Sequence, residues 1–397
     1  MNWSKYTIEN RFIPGTTILA LIFIVISIYL QSKLVFFLAC FFLMIVYANQ
    51  LYLRKAGVGL SLVNDHERNH FFIEENGKWS LIFVNKSYPI LNGEIRVFFD
   101  EYVAPMDGVL GPKRAKYEIV VPISLFTNQK KKISIPFQAK HRGIARIRTL
   151  EFHIPSLIGF GQTVLEYRPM ILQEAVVYPK RIPVKGLKEK TSQTQGINIV
   201  PFSVYEDRLG PLGTRDYLPT DSFNRIHWKA SARKQTLQTK IFERIAEKSW
   251  VVSLNVSDGY GYHQRLEQLI SSVAEFAYFA AQTNLPYSLC VNVRMAGSTP
   301  FLFIPMGEGK EHLQRVLAAL SSINQTPSYP YERMLSFLSK HMTAPAFFLH
   351  AGLRTEPNDA ILFRLGNSGA NLFELEAEEE YGVFSPINFH KERRMTL

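Results

Sequence analysis

His66-Glu67-Arg68-Asn69-His70 has the zinc-hydrolase spacing H-E-x-x-H. That chemistry needs a helix, so that both imidazoles share a face and the Glu reaches a metal-bound water. Here Asn64-Asp65 precede the motif and Phe71-Phe72-Ile73 follow it, in a region whose texture is that of strands. On a strand the two histidines stand ~13 Å apart at ~3.3 Å per residue, too far to share one ion. The sequence therefore reads it as a chance match. Met306-Gly307-Glu308-Gly309-Lys310 has a phosphate-loop flavour but lacks the first Gly, and Glu311 replaces the Ser or Thr, so it reads as a turn opening a helix. Neither a G-x-S-x-G elbow nor a clustered Cys/His set occurs, and Cys40 and Cys290 read as packing residues.

The densest polar segment is 215–243, RDYLPTDSFNRIHWKASARKQTLQTKIFE. Arg225, Lys229 and Arg233 fall at i, i+4 and i+8, one face if this piece is helical. Trp228 sits among them, and Asp216, Asp221 and Glu243 can pair with the cations. Two readings stand: an internal salt-bridge cluster that fixes a loop, or a docking surface, since Arg and Trp are frequent interface anchors. Basic and aromatic residues also bind nucleic acid, but the acidic residues interrupt this patch.

The chain that must position these residues has 397 of them, with 47% hydrophobic and 20% charged, which excludes a disordered or fibrous class and leaves room for several units. Lys and Arg exceed Asp and Glu by 45 to 34, a net +11 that suits anionic neighbours. With only two cysteines there is no disulfide framework, and a reducing compartment is expected.

Residues 12–30 and 34–53 carry no charge, each run close to the ~20 residues that cross a bilayer. Only Gln31, Ser32 and Lys33 separate them, so the sequence predicts a two-helix transmembrane hairpin over 12–55, preceded by a short tail, 1–11. Lys5 and Arg11 before it, and Arg54 and Lys55 after it, put both termini in the cytoplasm, with Lys33 opposing. The expected localisation is the cell membrane, multi-pass, with the large domains cytoplasmic.

From 56 to 178 short runs such as 80–84, 94–99, 118–122, 133–137 and 144–152 alternate with turn formers, as in a small β-sandwich. Residues 179–200 are Pro- and Lys-rich, and read as a basic linker with a solvated charged face. Near a membrane it can also touch anionic lipid, at roughly 1 kcal/mol per well-placed cation. After the segment 201–248, residues 249–397 alternate apolar strands (251–256, 287–293, 301–304, 346–350) with helical runs (266–281, 310–323, 332–341), which predicts an open α/β sheet with parallel strands.

At Arg215-Asp216-Tyr217, Asp221, Arg225-Ile226-His227-Trp228-Lys229-Ala230-Ser231-Ala232-Arg233, Lys240 and Glu243 the sequence resembles the signature of the domain-of-unknown-function 58 family. Thr220 departs from it, where a Gly usually stands. His141-Arg142-Gly143, Leu157-Ile158-Gly159-Phe160-Gly161 and Val176-Val177-Tyr178-Pro179 are similar to further stretches of that family.

The resemblance implies a membrane hairpin, a β-rich region and a von Willebrand factor A-like domain. It also implies partners: a MoxR-type AAA+ ATPase and a transglutaminase-like membrane protein. Many A-like domains hold Mg²⁺ through D-x-S-x-S and a late Asp. Here the first motif reads Asn255-Val256-Ser257-Asp258-Gly259, and Ala351-Gly352 stand where the late Asp belongs. With two carboxylates missing, a hard cation lacks its anionic ligands, so no Mg²⁺ or other cofactor is expected.

The function expected is a non-enzymatic, membrane-anchored scaffold or assembly factor that meets an AAA+ ATPase through 215–243. The alternatives are a membrane-bound hydrolase built on His66, Glu67 and His70, and a membrane-tethered nucleic-acid binder; on the leading reading no nucleic acid is expected as a partner.

Overall fold

The computed structural model describes residues 2–8, 12–106, 109–110, 117–159, 161–194, 206–244, 249–258, 261–297, 299–324, 328–341 and 345–389. It is a multi-domain mixed α/β chain that divides into two compact units, Met1–Tyr178 and Pro179–Leu397.

The first unit opens with β1 (Trp3–Ile8), α1 (Phe12–Tyr29) and α2 (Lys33–Lys55), then β2 (Leu60–Val63), β3 (Glu67–Phe71), β4 (Asn76–Asn85) and β5 (Ile90–Phe99). It continues with β6 (Val103–Pro105), β7 (Val109–Leu110), β8 (Tyr117–Leu125), β9 (Gln129–Ala139), β10 (Gly143–Pro155), β11 (Gln162–Tyr167) and β12 (Gln173–Val177). One sheet runs β1-β11-β10-β5-β8-β7, with β12 and β3 joined to it; a second runs β2-β4-β9-β6. Alternate residues of β4, β5, β9 and β10 turn inward, so Trp79, Phe83, Phe99, Phe137 and Phe152 fill one core between the sheets.

The helices obey a different rule. Gln31, at φ +50°, ends α1, and α2 starts two residues later. On α2 Leu34, Phe37, Leu38, Phe41, Met44 and Tyr47 form an exposed apolar face, while Ala39, Val46 and Asn49 on the other side are buried. Lys33–Lys55 is long and apolar enough to cross a membrane. Its last turns enter the β core, where Tyr52, Leu53 and Ala56 are buried with Trp3. Residues 2–8 are not a free tail: β1 pairs antiparallel with β11, and Lys5 Nζ donates to the Arg54 and Ala56 carbonyls at 2.6 and 2.8 Å, capping the C-terminus of α2.

The second unit contains β13 (Val184–Lys185), α3 (Leu187–Thr194), β14 (Glu206–Asp216), a 3-10 turn (Phe223–Arg225), α4 (Trp228–Lys234), β15 (Gln238–Arg244), β16 (Trp250–Leu254) and α5 (Leu266–Gln282). Then follow β17 (Tyr287–Arg294), β18 (Phe301–Gly307), α6 (Gly309–Ser322), α7 (Tyr331–His341), β19 (Phe347–Ala351), α8 (Glu356–Asn367), β20 (Asn371–Ala377) and β21 (Gly382–Pro386). The large sheet runs β13-β21-β20-β19-β16-β17-β18. Its central strands are parallel and buried on both faces, which is why they read as unbroken apolar runs. The sheet is not parallel throughout: β18 is antiparallel to β17 and β21 to β20, while β13 runs parallel to β21. Counted from β16 to β21, the strands lie in the doubly wound order 3-2-1-4-5-6. That order reverses between β16 and β19, leaving a crevice at the carboxyl ends of those strands.

The basic stretch after Tyr178 packs on this unit while Lys180, Arg181, Lys185 and Lys188 stay exposed. Arg181 pairs with Glu275 at 2.7 Å and lies 4.3 Å over Tyr278; Lys185 covers the Tyr381 ring, and Lys190 donates to the Phe384 carbonyl. Long basic side chains have apolar stems, so they pack on such surfaces while keeping their charge. Residues 195–205 and 245–248 of the predicted linker and signature segment lie outside the described residues.

Candidate functional site

The signature segment folds as a two-stranded hairpin, β14 with β15, whose connection holds the 3-10 turn and α4. The register sets Arg215 opposite Thr239 and Asp216 opposite Gln238. Arg215 grips Asp221 with both guanidinium nitrogens, at 2.7 and 2.6 Å, while the Leu218 N–H and the Thr239 hydroxyl donate to the same carboxylate at 3.0 Å each. The Arg215 hydrogen bonds, then that of Leu218, hold the Asp221 carboxyl at about 2, below its ordinary 3.8. Tyr217 closes the turn by donating its hydroxyl to the Asp221 carbonyl.

Behind this clamp the buried Gln238 is a hub. Its backbone N–H donates to Ser231 Oγ, its carbonyl accepts from the His227 N–H, and its amide donates to Asp216. Ser231 Oγ donates in turn to the His227 carbonyl, and His227 Nδ1 caps α4 by accepting from the Ala230 N–H. The polar signature residues Arg215, Asp216, Tyr217, Asp221 and Ser231 thus hold the module's own shape.

The module also leaves large apolar side chains exposed. Trp228 is 61% exposed and Phe223 69%, with ring centroids 6.3 Å apart, and Tyr217 meets Phe223 edge-on at 6.5 Å. Leu218 and Leu237 are exposed too. Lys229 and Arg233 stand one turn apart on α4, exposed and without an ion pair among the described residues. Arg225 departs from the expected helical face: it ends the 3-10 turn, before α4 begins, and is half-buried. A break at Ile226 and His227 stops one helix from running through all three cations. Lys240 and Glu243 lie on β15. Sequence reasoning did not single out Phe223; its signal was a large aromatic in a segment with no apolar periodicity to bury it.

The crevice at the strand switch is the other polar centre. Asn255 Oδ1 accepts from Asn292 Nδ2 at 2.9 Å and from both the N–H and the hydroxyl of Ser257, while Asn255 Nδ2 donates to the Leu353 carbonyl at 3.0 Å. Asn292 Oδ1 accepts from the Val256 N–H at 2.7 Å. This set fixes the amide orientation, because a flipped Asn255 would face donor with donor. A carboxamide that spends its donor on a backbone carbonyl does the bridging a cation would do.

Gly352, at φ +118°, packs so close that an added Cβ would stand 2.5 Å from the Asn255 carbonyl oxygen, so a carboxylate cannot be placed there without moving the backbone. Asp258 accepts from the Gly261 N–H, and Gly259 lies outside the described residues. The described residues contain no group of three or more His, Cys, Asp or Glu side chains that could hold a metal ion.

Beside these groups opens a cleft of about 550 Å³, with Asp258, Arg265, Arg354, Glu374 and Glu378 on its walls. Its charges are paired: Arg354 with Asp359 and Glu374, Arg265 with Glu378. Beneath it runs a buried chain. The Gly352 carbonyl can only accept, so His350 Nε2 carries the proton, and Nδ1 accepts from Tyr331 at 2.6 Å; Tyr331 accepts from Ser253 at 2.8 Å. Burial pushes His350 down to about 4, leaving it neutral. These three side chains tie β16, α7 and β19 together, shut away from solvent.

The H-E-x-x-H residues lie on or beside a strand. Glu67 and His70 are on β3, with His66 just before it, and His70 stacks on Tyr178 at 5.2 Å. Gly309, at φ +75°, opens α6 after β18.

Residues 213–340 match a family described as "Protein of unknown function DUF58". No curated protein matches the chain. Among solved structures, an ASH/PapD-like domain of human CEP192 is similar at 11% identity and a TM-score of 0.17, covering 30% of this chain and 84% of that one. The sporulation control protein Spo0M from Bacillus subtilis is similar at 6% identity and a TM-score of 0.16, over 30% of this chain and 49% of that one. The chain thus spans about half of Spo0M.

Proposed function

We propose that this chain, which carries a DUF58 region at 213–340, is a membrane-anchored scaffold that docks a protein partner on its β14–β15 module. The carrying observation is the exposed Phe223–Trp228 pair on a module whose polar signature residues Arg215, Asp216 and Asp221 are paired within the module. Two large rings held in water by a rigid hairpin are the anchors from which interfaces draw most of their energy. Lys229 and Arg233 beside them favour an acidic partner face. The resemblance supplies the partner: an AAA+ ATPase of the MoxR type, with a transglutaminase-like membrane protein in the same set.

The anchor in this reading is a hairpin with both ends in the cytoplasm. β1 before α1 and β2 after α2 both join sheets of the first unit, which supports an exit of the two helices on one side. Lys5, Arg54 and Lys55 at that side follow the positive-inside bias. The doubly wound order with an antiparallel β18 supports a von Willebrand factor A-like second unit. Its crevice, bridged by Asn255 and Asn292, serves as framework rather than as a cation site.

The test is co-purification of the full tagged chain from detergent, comparing wild type with Phe223→Ala/Trp228→Ala. An AAA+ ATPase recovered with wild type and lost from an equally stable variant supports the proposal. Retention of that partner by the variant refutes the docking surface.

A further inference from the structure

Asn49 lies within the apolar run of α2, yet it is 2% exposed. Its Oδ1 accepts from the Leu157 backbone N–H at 3.0 Å, so the β10–β11 turn reaches up the side of the helix. One turn further along α2, the Leu53 carbonyl accepts from Thr163 on β11. The turn is tight: Ser156 N–H donates to the Gly161 carbonyl, and Gly159 and Gly161 adopt φ +79° and +100°. Its tip points away from the protein, since a Cβ added at Gly159 would meet nothing, and Leu157 is 53% exposed.

Helix geometry gives the depth. At 1.5 Å per residue, Lys33 to Arg54 spans about 32 Å, which matches a hydrocarbon core of about 30 Å. Asn49 then lies about 8 Å inside the boundary marked by Arg54. If the bilayer ended at Asn49 instead, the stretch from Lys33 would measure only about 24 Å, short of the ~30 Å hydrocarbon core.

We propose that the β10–β11 turn, with Leu157 and Ile158 at its tip, is a membrane-dipping loop that enters the lipid beside α2. Asn49 is its latch: a polar side chain in the span that is paid for by the loop's own backbone N–H. Apolar Leu157 at the tip is what a lipid surface takes up and water does not. The loop makes the first unit a body seated in the interface rather than one hung from two helices.

This rests on the membrane reading of α1 and α2, and the experiment separates the two. In the full chain with Cys40→Ala and Cys290→Ala, Leu157→Cys and, separately, Phe37→Cys are labelled with an NBD fluorophore. Each protein is reconstituted in phosphatidylcholine/phosphatidylglycerol vesicles. Both probes are expected to be quenched by spin-labelled lipid and to lose quenching by aqueous iodide. Iodide quenching at 157 with a shielded probe at 37 would overturn the loop and leave the span. Iodide quenching at both positions would overturn the membrane reading, and the loop with it.

Discussion

In the β14–β15 module, Arg215, Asp221, Gln238 and Ser231 satisfy one another and leave Phe223 and Trp228 outside. In the switch-point crevice, Asn255, Asn292 and Ser257 also satisfy one another, but there the groups left at the surface are charges already paired, Arg354 with Asp359 and Glu374. Both regions are dense in polar side chains at strand ends. The first has unspent binding capacity, because exposed apolar area gains free energy only when a partner covers it. The second has little, because a ligand would have to displace hydrogen bonds and ion pairs of equal quality. Polar motif residues mark the framework in both, and the odd aromatic beside them marks the surface.

The comparison breaks most visibly at Gly352. Gly352→Asp puts a side chain at φ +118° against the Asn255 carbonyl, and unfolding in denaturant should show a loss of about 3–4 kcal/mol. Magnesium should restore none of it. A gain of magnesium-dependent stability would mean the crevice is an ion site awaiting its carboxylate.

His350 gives a slightly smaller effect. Its neutral form is buried, so its folded value, about 4, lies below the ordinary 6.5. Its contribution is therefore complete above pH 6.5 and falls away as pH drops toward 4, by about 3 kcal/mol for a shift of this size. A pH series of denaturant unfolding should show this slope in wild type and a flatter one in His350→Gln.

Trp228→Ala should weaken partner binding by about 2 kcal/mol, some thirtyfold, and leave stability within about 0.5 kcal/mol. Titration calorimetry beside a thermal melt reads both. An early melt with unchanged binding would make Trp228 part of the framework. The smallest effect belongs to Lys229→Glu/Arg233→Glu, which should slow association about tenfold at low salt and converge with wild type at high salt.

Much of this was legible in the sequence because burial periodicity is local. The charge-free runs around Gln31 became α1 and α2, and the unbroken apolar strands became the buried β16, β17 and β19. What escaped was non-local. β1 is short and half polar, and only its pairing with β11, over 150 residues away, makes it a strand. The Lys-rich stretch after Tyr178 is charged enough to read as linker, yet Glu275, Tyr278 and Tyr381 were waiting for it. α8 has a start signal in the sequence, Thr355 followed by Pro357 in the first turn, ahead of Ile361, Leu362 and Leu365. The signature's composition was readable as polar and aromatic, but which of its residues face outward depends on the Gln238 hub, and no spacing rule contains that.

The most direct test places a photo-crosslinking amino acid at Phe223 in one full-length chain and at Ser257, by the crevice, in another, and activates both in cells. The account predicts that position 223 captures an AAA+ ATPase and position 257 captures no protein. Capture of that partner at 257 with none at 223 would contradict it.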